Sequence, residues 1–561
     1  MTSALDELCD EYWEALCTAH PISASYLGYR EFDERVPDLS MAGEAAHAAS
    51  FRDLARRAEA MEGETLDARE HVTLSLLRGE AARAADALAE APAEYTVTPA
   101  TTGPLVDVFE TCPRMAVTES RHASAMVIRY RRLARFFDQA VQRLIAGANA
   151  GRTPVAHTTR ATLAWLDAYL SRGLMDDPLL APDPPADWPA RRVEAWREAM
   201  TYVVERSIRP ALQRYRDHLA NAVLPHARSD EHPGLCWIPG GEDLYASAIR
   251  RHTTLQETPE ELHRFGLAEV ERLDEEYRNL GRRVFGTGGL PAIYARLRDD
   301  PDLRFDTAQS LLDVAEAALA RAEAEVPNWF GHLPKTPCVV LPMDAHEVEH
   351  GTIAYYQPPA HDGSRPGTYY VNTFEPRSRT RFEAEALAFH EAVPGHHTQV
   401  ALSQELDLPS FRRFALINAY VEGWALYTER LADEMGLYSG DLARFGMLAF
   451  DSWRACRLVV DTGLHHFGWS RSQAVRYLLD NSPLAENNIA NEVDRYIVLP
   501  AQALSYKVGQ RRFLELRERA ERQLHGRFDL AAFHDAVLGQ GPVSLDILGE
   551  QVDRWITSRA T

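Results

Sequence analysis

The residues best suited to chemistry lie in one stretch, His390-Glu391-Ala392-Val393-Pro394-Gly395-His396-His397. In zinc hydrolases the pattern H-E-x-x-H places two imidazoles one helical turn apart, and the Glu between them acts as general base. Here Pro394 stands where the second histidine is expected, and the next two histidines follow six and seven residues after His390. The stretch therefore predicts a zinc site built on a lengthened form of this pattern.

A straight helix cannot bring His390 together with either later histidine. Residues seven apart lie about 10 Å apart along a helix axis, whereas two ligand atoms on one zinc ion approach within roughly 3–3.5 Å. Pro394 removes a helical hydrogen bond and Gly395 tolerates unusual dihedrals, so the pair predicts a local bulge. A bulge of two residues selects His396 as the second ligand and a bulge of three selects His397. The spacing leaves both open, with His396 preferred.

Glu422 is the predicted third ligand. It lies among apolar residues in the helical segment 418–427, and a buried carboxylate needs a cation or hydrogen-bond partners. Two histidines and a glutamate leave the fourth position of a zinc ion for water. A metal lowers the pKa of bound water, and Glu391 is then the predicted general base that accepts the proton of that water. The alternative is that these residues are ordinary surface or core side chains without a metal.

Most of the chain that must position these residues has helical periodicity. Leu5, Leu8, Tyr12 and Leu16 recur at three- and four-residue steps. Strong helix formers predict further helices at 70–90, 121–148, 191–220, 259–282 and 307–326. Thr258 has the features of an N-cap, since Pro and Glu follow it.

Strand and loop signals are few. Short β-prone runs occur at 338–341 and 368–371, and the second follows a turn-rich segment at 362–367. The proline-rich stretch 176–189 predicts a long loop between helices. Thr380 and Glu383 have capping-box spacing ahead of the helical run 384–389. The fold class expected is mainly α with a small β-sheet, in one continuous unit over 1–561 with approximate lobes 1–258 and 259–561.

Composition narrows the function classes. The 561 residues carry a formal charge of -22, which argues against nucleic-acid binding and against docking to acidic lipids. The six cysteines are scattered without a C-x-x-C pair, which is typical of a reducing compartment. The N-terminus is acidic without an apolar segment, and no run of about 18 apolar residues occurs. We expect a soluble cytoplasmic protein, monomeric or homodimeric, without nucleic-acid or membrane partners.

The segment 390–399 resembles the signature of the bacterial family catalogued as domain of unknown function 885, which is grouped with gluzincin-type zinc metallopeptidases. Further matches lie at 26–28, 241–245, 366–372, 460–465, 495–496 and 500–509. The resemblance implies a fold similar to thimet oligopeptidase, angiotensin-converting enzyme and the Taq-type carboxypeptidases. In these relatives two helical lobes flank a deep cleft, and a small sheet lies beside the metal helix. Their ligand Glu follows the second histidine at a spacing that Glu422 fits from either His396 or His397.

Other residues are candidates for the remainder of the site. A donor is needed for the oxyanion that forms during amide hydrolysis. Tyr506 is the first choice, with His465 and Tyr496 as further candidates, and Asp461 is a candidate to orient a histidine ring. Arginine and lysine side chains bind substrate carboxylates, and residues beside a strand bind extended substrates. The predicted substrate-binding residues are Lys507, Arg457, Arg495, Tyr496, Tyr355, Tyr356 and Asn372.

These observations predict a hydrolase that uses one Zn²⁺ ion to cleave an amide bond in short peptides or peptide-like amino-acid conjugates. Glu391 would carry the proton from water to the leaving amine. One alternative is a metallo-hydrolase or tailoring enzyme dedicated to a single metabolite. Another is a helical binding protein without turnover, although a binding protein has no need of Glu391.

Overall fold

The computed structural model describes residues 3–63, 65–343, 352–360 and 365–560. It is 71% helical with one small sheet, which confirms the mainly α prediction. Residues 362–364 of the predicted turn lie outside the described residues. Among the described residues, no helix is both long enough and apolar enough to cross a membrane.

Ten α-helices precede residue 258 in the described part of the chain. They are α1 (Ala4–Ala19), α2 (Pro21–Tyr26), α3 (Met41–Ala60), α4 (Ala68–Ala89), α5 (Pro104–Val106), α6 (Ser120–Asn149), α7 (Ala156–Ser171), α8 (Ala190–Val203), α9 (Arg209–His218) and α10 (Gly241–Thr253). The predicted helix at 191–220 is α8 and α9, which are joined by the π-helical turn Val204–Ile208. The proline-rich stretch contains only short 3-10 turns and no α-helix, as expected.

The described helices beyond residue 258 carry the candidate site. They are α11 (Pro259–Phe285), α12 (Leu290–Asp299), α13 (Ala308–Glu325), α14 (Ala384–Glu391), α15 (His396–Glu405), α16 (Ser410–Arg413), α17 (Asn418–Glu434), α18 (Asp441–His465), α19 (Arg471–Asn481), α20 (Glu486–Val498), α21 (Ser505–Leu524), α22 (Leu530–Leu538) and α23 (Leu545–Ala560). Helix α11 begins as predicted, because Thr258 and Glu261 form a reciprocal capping box.

The sheet has three described strands, β1 (Cys338–Pro342), β2 (Ala354–Gln357) and β3 (Gly367–Val371), in the order β1-β3-β2. Strand β3 pairs in parallel with β1 and antiparallel with β2. The runs predicted at 338–341 and 368–371 are β1 and β3, and β2 is an addition. Strands β2 and β3 pack against α14 and α15, respectively, so the sheet lies beside the helices that carry the histidines.

Three large apolar clusters form the core. The first joins α1, α3, α4 and α10 to α13, α14, α17 and α21–α23. The second lies mainly between α11, α12 and α18–α20, and the third between α6, α7, α8 and α9. The first cluster thus draws on both sides of residue 258, and the division into lobes at that residue stays a prediction.

Candidate metal centre

The helix is interrupted between His390 and His396, and the predicted bulge within one continuous helix is not observed. Helix α14 ends at Glu391 and α15 begins at His396. The indole of Trp424 donates to the Pro394 carbonyl over 3.1 Å and fixes the break. A Cβ atom at Gly395 would lie 1.9 Å from the His390 carbonyl oxygen. Only glycine therefore fits where the two helices meet.

The start of α14 differs from the predicted capping box. The helix begins at Ala384 with Glu383 as its N-cap residue, and no side chain caps the backbone there. Thr380 donates instead to the Glu383 carboxylate. The predicted helical run 384–389 is confirmed, while the capping box is wrong.

His390, His396 and Glu422 converge at this break. One ligand atom from each lies within 4.8 Å of the other two. The Nε2 atoms of His390 and His396 are 3.7 Å and 3.6 Å, respectively, from the same Glu422 oxygen, Oε2. These distances are close to the roughly 3–3.5 Å that separates two ligand atoms on one zinc ion.

The donor set fits a divalent cation in two further respects. Glu422 Oε2 is buried and has no hydrogen-bond partner in the described structure, although a buried carboxylate oxygen needs one. Three carboxylates lie nearby, those of Glu391, Glu422 and Glu429. Among the described residues, Arg454 is the one buried cation whose charge acts on all three. With neutral histidines, this group carries a formal charge of -2, which one divalent ion would neutralise.

Glu429 orients the first histidine. Its Oε1 lies 2.8 Å from His390 Nδ1, which leaves Nε2 directed toward Glu422. Metal-binding histidines commonly hold their second nitrogen in this way. Glu429 was not predicted from the sequence, although it follows Glu422 by seven residues and so lies on the same face of a helix. In contrast, Nδ1 of His396 is buried without a partner in the described structure.

The ionisation of the cluster reflects its negative charge. Burial lowers the pKa of His390, but the neighbouring carboxylates of Glu422 and Glu429 raise it to about 9. Burial opposes the shift of Glu422 too, but His390 and His396 lower its pKa to about 2. Burial lowers the pKa of His396 to about 4. Glu422 is therefore ionised next to two imidazoles whose pKa values are shifted in opposite directions, upward for His390 and downward for His396.

Glu391 ends α14 beside this group and is half-buried. Burial, together with the charge of Glu422, raises its pKa to about 7, whereas His390 and Arg454 act in the opposite direction. Hydrogen bonding from the Tyr356 backbone also lowers it. The backbone of strand β2 therefore contacts the side chain of Glu391, the candidate general base.

Arg454 is a second residue beside the cluster that was not predicted from the sequence. It lies on α18 and is 5% exposed, and its Nε and Nη1 atoms have no hydrogen-bond partner among the residues that the structure describes. Its guanidinium carbon lies 5.6 Å from the ring centroid of Tyr506, and its charge acts on Glu391 and Glu422. A lone arginine in a helix gives no signal of this kind, because its lack of partners depends on the tertiary fold.

His397 points away from the cluster. Its Nδ1 lies 3.0 Å from the Tyr356 hydroxyl, and its Nε2 lies 3.0 Å from the Thr336 carbonyl oxygen. Both ring nitrogens are thus engaged on the side of the sheet. The geometry selects His396 over His397 as the second candidate ligand.

His465 and Asp461 are also engaged elsewhere. His465 Nδ1 accepts from the Leu235 amide, and Nε2 lies 3.0 Å from the Tyr496 carbonyl oxygen. This leaves no ring nitrogen for an oxyanion. Asp461 accepts from the Tyr245 hydroxyl and the Ala501 amide, so the partner of a histidine here is Glu429 and not Asp461.

The basic residues that were predicted to bind a substrate carboxylate lie in two different surroundings. Lys507 is 1% exposed and pairs with Asp451 and with Glu269, so its charge is satisfied within the protein. In the other group, Arg457 and Arg495 surround Tyr506. The hydroxyl of Tyr496 accepts from Arg457 over 3.0 Å, which makes Tyr496 a support for that arginine.

The strand residues mostly make structural contacts. Tyr355 stacks on Tyr370 at 5.0 Å between centroids, and Tyr356 holds His397. Asn372 is fully buried and donates to the Thr352 carbonyl. Of these three predicted substrate contacts, Tyr356 is the one whose main chain meets Glu391.

Fold and site together define a mainly helical protein with two histidines and a glutamate gathered at a break between helices. The chain belongs to a bacterial protein family of unknown function, DUF885, whose model matches residues 21–552. Two solved structures, each described as a "putative lipoprotein", are similar to it. The one from Colwellia psychrerythraea is 26% identical with a TM-score of 0.89 and full coverage of both chains. The one from Shewanella oneidensis, of unknown function, is 17% identical with a TM-score of 0.76, covering 98% of this chain and 99% of its own. No curated protein matches.

Proposed function

We propose that the protein is a zinc-dependent hydrolase that cleaves an amide bond in short peptides or peptide-like amino-acid conjugates. The observation that supports this most is the approach of His390, His396 and Glu422 at a spacing suited to one divalent ion. Two imidazoles and one carboxylate are the ligand type of catalytic zinc sites that keep a position for water. A bound zinc ion would lower the pKa of water and polarise the substrate carbonyl.

The residues of the chain would supply the remaining steps. Glu391 follows His390 directly and ends α14 beside the cluster, where it would accept a proton from the attacking water. The water oxygen bonds to the carbonyl carbon, and the carbon–nitrogen bond breaks with its electron pair left on nitrogen. The proton held by Glu391 then passes to that nitrogen, and the products are a carboxylic acid and an amine. Glu429 keeps His390 in the tautomer that presents Nε2.

Metal analysis and substrate screening test this function together. Purified protein should contain one zinc ion per chain by elemental mass spectrometry, and it should hydrolyse members of a library of short peptides and N-acyl amino acids. His396→Gln should lose zinc, whereas the matched variant His397→Gln should keep it, because the His397 ring is bonded elsewhere. Zinc-free protein, or equal zinc in both variants, would contradict the proposal. Zinc without any hydrolysis would favour a binding protein.

A further inference from the structure

Three arginines surround one tyrosine next to the candidate metal centre. The guanidinium carbons of Arg454 and Arg457, both on α18, lie 5.6 Å and 4.4 Å from the centroid of the Tyr506 ring. Arg495, on α20, places Nη2 3.5 Å from the Tyr506 hydroxyl. Arginine remains charged at any ordinary pH, so this arrangement concentrates positive charge around one phenol.

Within the described part of the chain, the acidic residues near this tyrosine are too few to neutralise these charges. Glu492 accepts from Arg457 at 2.9 Å and pairs with Arg495 at 3.3 Å. Among the described residues, Arg454 forms no ion pair within 4.0 Å. In the described structure, its Nε and Nη1, as well as Nη1 of Arg457, are buried without a hydrogen-bond partner. An unpaired buried charge is costly, and an anionic ligand would remove that cost.

We infer that Arg454, Arg457 and Tyr506 form an anion-binding site that holds a carboxylate group of the substrate beside the candidate metal centre. Arginine is suited to this group, because its planar donors match two carboxylate oxygens. A divalent ion and Arg454 together would balance the three carboxylates of the candidate metal centre. Of the charges that remain, Arg457 and Arg495 contribute two positive charges and Glu492 one negative charge, which leaves an excess of one positive charge. A single carboxylate neutralises that excess.

The position of Arg454 narrows the substrate class. Its charge reaches Glu391, Glu422 and His396, so a carboxylate bound to it lies near the amide that would be cleaved. This favours N-acyl amino acids and dipeptides, in which a free carboxylate is one carbon from the amide nitrogen. The substrate class rests on the proposed function, whereas the anion site can be tested without turnover.

Calorimetric binding to protein carrying Glu391→Gln is the test. The probes are a panel of N-acetyl amino acids, the matching N-acetyl amino-acid amides, and acetate alone. At least one acid should bind ten-fold or more tightly than its amide and than acetate. Adding Arg454→Gln should abolish that preference, and Arg454→Lys should keep part of it. No preference for any acid, an unchanged preference in Arg454→Gln, or equal binding of acetate would overturn the inference.

Thermal unfolding separates a binding role for Arg454 from a structural one. The matched control is Arg430→Gln, because Arg430 is a partly buried arginine on a neighbouring helix that pairs with both Asp451 and Glu276. Arg454→Gln should shift the melting temperature much less than this control, and equal losses would overturn the inference. An acid preference in a protein without zinc or turnover would refute the proposed function alone. Zinc-dependent turnover without that preference would refute the anion site alone.

Discussion

Two neighbouring groups of charged side chains share helices α17, α18 and α21, and they differ in how their charges are satisfied. In the first, Lys507, Arg430 and Arg272 face Asp451, Glu269 and Glu276, so that three bases meet three acids. We call these six residues the paired network. In the second, the candidate metal centre, Glu422 Oε2 and two Arg454 nitrogens have no partner in the described structure.

Neighbouring residues belong to different groups. Glu429 contacts His390, whereas the next residue, Arg430, belongs to the paired network. Similarly, Tyr506 lies beside Arg454, and the adjacent Lys507 is bonded to Asp451 and Gln510. Burial and charge alone therefore do not distinguish structure from function. What separates these two groups is unsatisfied bonding capacity, which the paired network lacks in the described structure and the candidate metal centre retains.

Replacing Glu391 with Gln should have the largest effect on activity. Loss of a general base lowers turnover by about 10²–10⁴-fold, while zinc content should not change, because Glu391 is not among the three converging ligands. Steady-state kinetics on a library substrate, with elemental analysis, measures both. The matched variant Glu276→Gln in the paired network should keep wild-type turnover. Full activity in Glu391→Gln would remove this residue from the mechanism.

Lys507→Met should affect stability most. It removes the most deeply buried cation that pairs with Asp451 and Glu269, while Arg430 and Arg272 keep their contacts with these acids. Breaking a buried ion pair costs about 3–5 kcal/mol, and the remaining pairs should hold the loss to the lower end of that range. Denaturant unfolding should show this loss, with zinc content unchanged. A stable Lys507→Met protein that had lost substrate affinity would instead restore Lys507 as a substrate-binding residue.

Acid should destabilise the protein through its buried neutral histidines. Burial, with the charge of Arg228, lowers the pKa of His465 to about 4 from 6.5. The unfolded chain therefore takes up the proton first, so this stability is complete above about pH 6.5 and falls as the pH drops toward 4. The shift corresponds to roughly 3 kcal/mol. Urea unfolding between pH 7 and 4.5 should show a weaker pH dependence for His465→Gln, and an identical dependence would contradict this assignment.

Glu429→Gln should have the smallest effect of the four. The Gln amide can still hold His390 but lacks the negative charge. Replacing a residue that hydrogen-bonds a metal ligand typically weakens metal binding by about 10–100-fold. Competition with a zinc chelator measures this. A zinc affinity equal to that of the wild type would show that Glu429 has a structural role and does not contribute to metal binding.

Local sequence signals predicted much of the fold. Thr258, Pro259 and Glu261 mark the start of α11, and the Val- and Tyr-rich runs mark β1 and β3. Strand β2 escaped notice because it is four residues long and depends on its pairing with β3. A short strand of this kind is defined by its neighbour and not by its own composition.

Spacing singled out the three converging residues, His390, His396 and Glu422, but not their surroundings. The choice between His396 and His397 depends on contacts with Tyr356 and Thr336, which are distant in sequence. In the same way, Lys507 and Arg454 are both basic residues on helices, and only the fold pairs one and leaves the other without a partner. Sequence gives the residue types of a buried site, while tertiary contacts decide which of them remain available.

The most direct test is a crystal structure of the zinc-containing protein with diffraction recorded on both sides of the zinc absorption edge. The account predicts one anomalous peak about 2.0–2.2 Å from Nε2 of His390, Nε2 of His396 and a carboxylate oxygen of Glu422. A peak bonded to His397, or no peak among these three side chains, would contradict it.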